Sequence, residues 1–421
     1  MNLALIQKSR KNIVLSTVLV LFLVVHIGIV SSIILQKHPI ISPLHNDSSR
    51  IDRGADFYAV YHAGSNLRRG IDPYANNPDG VTPYWYPFRY LPIVAIAAQL
   101  LTFMTPLTAY IVWIIILEAL LAVLLITLWG HINDWRVRSV VVGLLLISSP
   151  YFLELYMGQF TFASIALCCL AFMLPAGQPL FCASVLMKPF TTAALPALVR
   201  ERRYWGHGVS AILCIILLSV PYFINHPDQG RVFISTNFFV TGGLDTGNYG
   251  FVRLLHLLAS SYDVTIILKH WDRFIGILRF VLLAVTALIV LFARRKVIAV
   301  SIPALLLAHF LTYQHVWEHH MSGVCVLGAV LVTAPERQKW FTSAVLFSLL
   351  LLAMPTPFSV LYSTKNPRVL EPAMQWPSYA SYLIVLPKVV PTIILFLSSV
   401  IYICHDGFIS PSDTVCAEPN R

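Results

Sequence analysis

The chain has 421 residues, of which 57% are hydrophobic and 11% charged, with a mean hydropathy of +0.74. Soluble domains carry about a quarter charged residues, so this composition excludes a soluble globular protein and implies one that crosses a membrane repeatedly. The formal charge of +10 does not point to nucleic acid, because an excess of Lys and Arg marks the cytoplasmic loops of membrane proteins.

The first apolar run, Ile13 to Leu35, is long enough to span a bilayer. It lacks a small-residue cleavage site and reads as a retained span. Lys8, Arg10 and Lys11 precede it and place the N-terminus in the cytoplasm. Residues 36–88 then form a first extracytoplasmic loop. Apolar runs follow at 89–104, 106–129, 139–155, 159–174, 178–198 and 206–224. After a second polar stretch, 225–273, come runs at 274–293, 297–315, 318–334, 339–355 and 382–404, and then a cytoplasmic tail, 405–421.

Four basic clusters constrain the count: Trp135–Arg138, Arg200–Arg203, Arg294–Lys296 and Glu336–Lys339. All face the cytoplasm only if two runs do not cross. Pro92 marks 89–104 as short or re-entrant, and Pro189 breaks 178–198 into two half-helices turning at Lys188–Phe190. Irregular backbone at that depth requires burial in protein or a water-filled cavity. The expected fold is therefore an all-α polytopic membrane protein of about 10–12 transmembrane helices, a single domain over 1–421. Six of the seven cysteines fall in or beside apolar runs, so no disulfide framework is expected.

Within the first loop, the spacing from Asp56 to Arg69 predicts a helix lying in the membrane interface. Phe57, Val60, Tyr61, Gly64 and Leu67 make one stripe; Tyr58, His62, Ser65 and Arg69 make another. Gly70 suits a left-handed C-cap, and Pro73 prevents continuation. Asp56 in the first turn has two compatible readings, a cap on the helix N-terminus or a functional carboxylate. Pro83–Pro92 returns the chain to the membrane through an aromatic belt.

Further polar islands fall on the same expected outer face: Leu155–Gln159, the tip at Lys188, Thr241–Gly250 with Asn248, and Gln314–His320. A lysine at membrane depth is a functional candidate, or a structural residue snorkelling to the interface. Arg68 and Arg69 could meet lipid headgroups. His319 and His320 are candidate ligand contacts or inert core histidines. His315, Glu318 and His319 also match an H-x-x-E-H zinc-protease spacing, without a downstream acidic ligand. His26 and His309 read as structural. Glu118 is expected to pair within the bundle, and Glu154 to face the same cavity as the islands. No D-x-D pattern is present.

An outer-loop Asp with Tyr and "AG", then "DPY", an aromatic- and Pro-rich re-entry, "GQ" at a span start, "KP" in a later apolar run and "W-x-H-H" further on resemble the GT-C fold glycosyltransferases of family 87. That family includes polyprenyl-phosphate-mannose-dependent α-1,2-mannosyltransferases, and the resemblance runs from Asp56 to His320. It implies an inverting hexosyltransferase in the plasma (inner) membrane, with its active site on the extracytoplasmic face. The donor would be a polyprenyl-phosphate sugar, most simply mannose, and the acceptor a hydroxyl of a lipid or glycan. Asp56 would be the catalytic base, and Tyr58, His62, Arg69, Gln159, Lys188, Asn248, His319 and His320 would bind donor or acceptor. No cofactor beyond the co-substrate and no metal ligand is implied, and a divalent ion is not excluded. Membrane lipids, and no nucleic acid, are the expected surroundings. The alternative from another class is a transporter or flippase of a lipid-linked sugar, which would also carry broken helices and intramembrane charges. The absence of an internal repeat and the crowding of polar islands at one face argue for the transferase.

Overall fold

The structure is a computed structural model and describes residues 3–36, 39–45, 52–75, 87–238, 248–292, 297–335, 337–356 and 378–404. The described residues are helical, with no strand among them. Outside them lie the first four residues of the Pro83–Pro92 re-entry, 241–247, the Arg294–Lys296 cluster and the 405–421 tail.

Among the described residues, six helices are long and apolar enough to cross a membrane, and six shorter apolar helices of 10–17 residues accompany them. This bears out an all-α membrane protein. In chain order, α1 is Leu3–Leu35, α2 Ala55–Arg68 and α3 Pro92–Ala98, continued by a 3-10 turn to Phe103. Then come α4 (Pro106–His131), α5 (Trp135–Leu146), α6 (Ser149–Met157), α7 (Thr161–Met173), α8 (Gln178–Met187), α9 (Leu195–Arg200) and α10 (Trp205–Asn225). The remainder are α11 (Pro227–Phe238), α12 (Phe251–Ser261), α13 (Thr265–Lys269), α14 (Trp271–Phe292), α15 (Ile298–Thr312), α16 (Met321–Leu331), α17 (Lys339–Ala353) and α18 (Ser378–Cys404).

Burial separates centre from rim. The α5–α6 segment is 89% buried, whereas the spans in α1, α10 and α14 are 17% buried. The exposed faces of the rim helices are apolar, with Val24, Ile224 and Phe280 open to the surroundings, as suits contact with lipid tails. One acid inside the bundle is paired: His26 on α1 meets Glu118 on α4 at 2.8 Å, and Tyr151 donates to the other Glu118 oxygen at 3.0 Å. That is the pairing expected of Glu118.

Two ends of the bundle can be told apart. The start of α4 packs against the end of α6, since the Tyr110 hydroxyl donates to the carbonyls of Leu155 and Tyr156. A helix of 26 residues is about 39 Å long, so α4 ends far from there. At the far end Arg337 lies beside Asp134, and Tyr402 donates to the Pro335 carbonyl. The Trp135–Arg138 and Glu336–Lys339 segments therefore meet at that end. Arg200 donates to the Val290 carbonyl. The break expected at Lys188 is present too: α8 stops there, and Pro189–Ala194 forms a 3-10 turn before α9.

The loop helix α2 differs from expectation in its surroundings. Its boundaries match, and its end is a Schellman motif: Gly70 at φ +71°, with Gly70 N–H on the Leu67 carbonyl and Ile71 N–H on that of Asn66. Yet Ala55 to Gly64 are buried except for His62. An amphipathic helix lying on an interface keeps a wet face. Here α3 covers one side, while Tyr110 of α4 and the end of α6 cover another.

Candidate active site

The site forms where α2, α6, α7, the Lys188 break and the Glu318–His320 turn meet. Gly158 ends α6 at φ +66°, and a Cβ there would lie 2.5 Å from the Phe57 Cβ. Only glycine allows both that conformation and that approach. The turn is closed by Gln159 N–H on the Glu154 carbonyl, and Gly54 N–H donates to the Tyr156 carbonyl at 2.7 Å. Backbone bonds thereby set the first turn of α2 beside Gln159.

Asp56 does not cap its helix. Gly54 occupies the N-cap position, and one Asp56 oxygen, Oδ2, is buried with no hydrogen-bond partner among the described residues. Its carboxylate accepts from Gln159, and Lys188 and Arg89 act on it from nearby. Burial pushes the Asp56 carboxyl up to about 6, and those two cations and the Gln159 bond limit the rise. An acid so tuned is ionised at neutral pH and able to take up a proton, as a general base requires.

Lys188 donates to the Thr161 hydroxyl at 2.7 Å, and its ammonium stands 5.9 Å from the Tyr90 ring. Glu154 closes the floor. Its two oxygens accept from Phe162 N–H at 2.8 Å and from the Ser322 hydroxyl at 3.0 Å, joining α6 to the starts of α7 and α16. Gln159 stands between Asp56 and His319: its Oε1 accepts from Tyr90 OH (2.9 Å) and Phe160 N–H (2.8 Å), and its Nε2 lies 3.3 Å from His319 Nε2. His319 Nδ1 is buried and has no partner among the described residues.

The structure thus brings together Asp56, Gln159, Lys188 and His319, with Glu154 behind them. Other sequence candidates lie elsewhere. Tyr58, His62 and Arg69 follow Asp56 by two, six and thirteen residues, which at about 100° per residue turns them roughly 200–240° away. Tyr58 packs against Tyr110, His62 against Tyr58 and Tyr61, and Arg69 is exposed. Asn248 is a strut: its amide donates to the Gln314 carbonyl and accepts from Gly250 N–H, while Tyr249 N–H meets the Val316 carbonyl. His320 accepts from Trp317 N–H at 2.9 Å and shapes the turn that presents His319. Among the described residues no three His, Cys, Asp or Glu gather as metal ligands.

A second buried cluster begins one residue before His319. Glu318 is bonded to His45 (3.1 Å), to Thr356 N–H and hydroxyl (3.2 and 3.1 Å), and faces the Lys388 ammonium at 3.6 Å. Lys388 also donates to the carbonyls of Leu352 and Met354. His45 and Lys388 escaped the reading of the sequence. Lys388 had a signal, a charged residue beside Pro387 inside an apolar run, the same one that singled out Lys188. Tyr90 and Arg89 carry no sequence signal beyond that of the aromatic belt.

Comparison with models of protein families, with curated proteins and with solved structures finds no match for this chain.

Proposed function

We propose that this chain is a membrane glycosyltransferase that moves a hexose from a polyprenyl-phosphate sugar to a hydroxyl of a lipid or glycan, in a GT-C-like bundle. In the proposed reaction the acceptor oxygen attacks the anomeric carbon as the bond to the phosphate oxygen breaks. The acceptor proton passes to Asp56, the phosphate leaves with the electron pair, and configuration inverts in this single displacement. A phosphate leaves without a strong general acid, so one carboxylate suffices, unlike the carboxyl pairs of glycosidases. Lys188, which acts on Asp56 from nearby, would stabilise the departing phosphate, a role for which a cation in a dry site is suited. Mannose is the favoured sugar through the resemblance from Asp56 to His320, and the extracytoplasmic face of the plasma (inner) membrane is the favoured location.

The observation that carries the reading is the buried Asp56 with one oxygen unpaired, set beside the half-buried Lys188. A charged group left open in the protein interior is costly unless it serves chemistry. The test is direct: the chain purified in detergent is given labelled polyprenyl-phosphate-mannose and a panel of hydroxyl acceptors. Transfer of label with inversion supports the proposal. Intact donor with every acceptor, together with movement of lipid-linked sugar across reconstituted vesicles, would establish the flippase instead.

A further inference from the structure

We propose that Gln159 is the positioning residue of this site, fixing His319 as the tautomer protonated on Nδ1 and holding Asp56 by one carboxylate oxygen. The pair then offers one donor and one acceptor to a bound ligand rich in oxygen. Gln159 Oε1 accepts from a backbone N–H, that of Phe160, and from Tyr90 OH. A backbone N–H can only donate, so the oxygen of the amide must face it, and the NH2 must face the other way. That NH2 has two hydrogens and two neighbours, the Asp56 carboxylate and His319 Nε2. Both neighbours therefore accept.

An imidazole whose Nε2 accepts carries its proton on Nδ1. That nitrogen is the buried one with no partner among the described residues, as is Asp56 Oδ2. Each unpaired buried polar atom costs about 1–3 kcal/mol, a cost that a hydrogen-bonding ligand reaching both would relieve. His319 thus presents N–H, not a lone pair, and meets a phosphoryl, ether or hydroxyl oxygen. It cannot take the acceptor proton in this state, which leaves Asp56 as the base. The ligand's identity as a phosphosugar rests on the proposed function; the tautomer does not.

The experiment is ¹⁵N NMR of the full-length chain in detergent with labelled histidine, without any sugar substrate, with His319 assigned by its loss in His319→Gln. The expected spectrum shows a protonated-type Nδ1 and an unprotonated Nε2. Gln159→Glu keeps both bonds at the oxygen end and removes both donors, so protonation should shift onto Nε2. Gln159→Met, which offers no polar group, should release the preference and serves if Gln159→Glu does not fold. A wild-type His319 protonated on Nε2 overturns the proposal, as does a nitrogen pattern unchanged in the variants. Because no substrate is present, absent sugar transfer with the expected tautomer sinks only the enzyme reading. Active transfer with the opposite tautomer sinks only this one.

Discussion

Two buried polar clusters share the Glu318–His319 peptide and differ in one respect. In the Glu318 cluster each carboxylate oxygen is bonded, Lys388 reaches two carbonyls besides Glu318, and His45 also meets Ser149. In the Asp56 cluster one carboxylate oxygen and one imidazole nitrogen stay unpaired. A satisfied network fixes the position of chain segments, here the first loop, the Glu318 turn and α18. An unsatisfied one carries a free-energy cost that a hydrogen-bonding molecule entering the site relieves. Burial and charge alone would have ranked the two equally; hydrogen-bond satisfaction separates them.

The contrast is broken or upheld most strongly at Asp56. Asp56→Asn keeps the size of the side chain and removes its charge. If Asp56 is the base, single-turnover transfer with saturating donor should fall about 10²–10⁴-fold. Folding should not suffer, because a buried carboxylate has become neutral. A thermal-shift measurement beside the kinetics reads both, and near-wild-type transfer would move the role to Glu154.

Glu318→Ala should do the reverse. Leaving Lys388 buried without its carboxylate should cost about 3–5 kcal/mol of stability, seen as a lower unfolding midpoint in detergent. The double change Glu318→Gln with Lys388→Met should cost less than Glu318→Ala, since no unpaired charge remains. Equal losses in the single and double variants would show that packing, not charge pairing, holds this cluster.

Lys188→Ala tests the cation of the open cluster. A hydrogen bond to a charged group contributes about 1.5–3 kcal/mol, so affinity for a polyprenyl-phosphate sugar should drop roughly 10–150-fold. Unchanged affinity in the purified variant would make Lys188 a partner of Thr161 and nothing more.

Much of this architecture is legible along the chain. Proline and lysine inside apolar runs mark the break at Lys188, and Gly70 with Pro73 marks the end of α2 to the residue. What the sequence hides is sidedness and long-range pairing. Tyr58, His62 and Arg69 look like companions of Asp56 because they are near it in sequence, yet helical geometry turns them away. The stripe pattern of α2 suggests a wet face, but neighbouring helices cover it, and no local pattern announces that. Glu318 finds His45 and Lys388 across 273 and 70 positions, and Gln159 finds His319 across 160. Such contacts exist only once the bundle has closed.

The smallest effect concerns pH and ties stability to function at one atom. Burial raises the Asp56 carboxyl from 3.8 to about 6, so between these values the folded chain holds a proton that the unfolded chain has lost. Stability contributed by this group therefore falls as pH rises from about 4 to 6 and is flat above. The two-unit shift is worth about 3 kcal/mol at most, and Asp56→Asn should remove that slope. Transfer runs the opposite way, because only the ionised carboxylate accepts a proton. The rate should be level above pH 7 and fall about tenfold per unit below pH 6, hence roughly tenfold between pH 7 and 5. A pH–rate profile of the single-turnover step, recorded with the unfolding midpoint at each pH, gives both curves. The rate should be half-maximal near pH 6, where the stability curve levels off. A rate that stays level down to pH 5 would separate the base from Asp56, and a stability slope that survives in Asp56→Asn would assign the titration to another buried group.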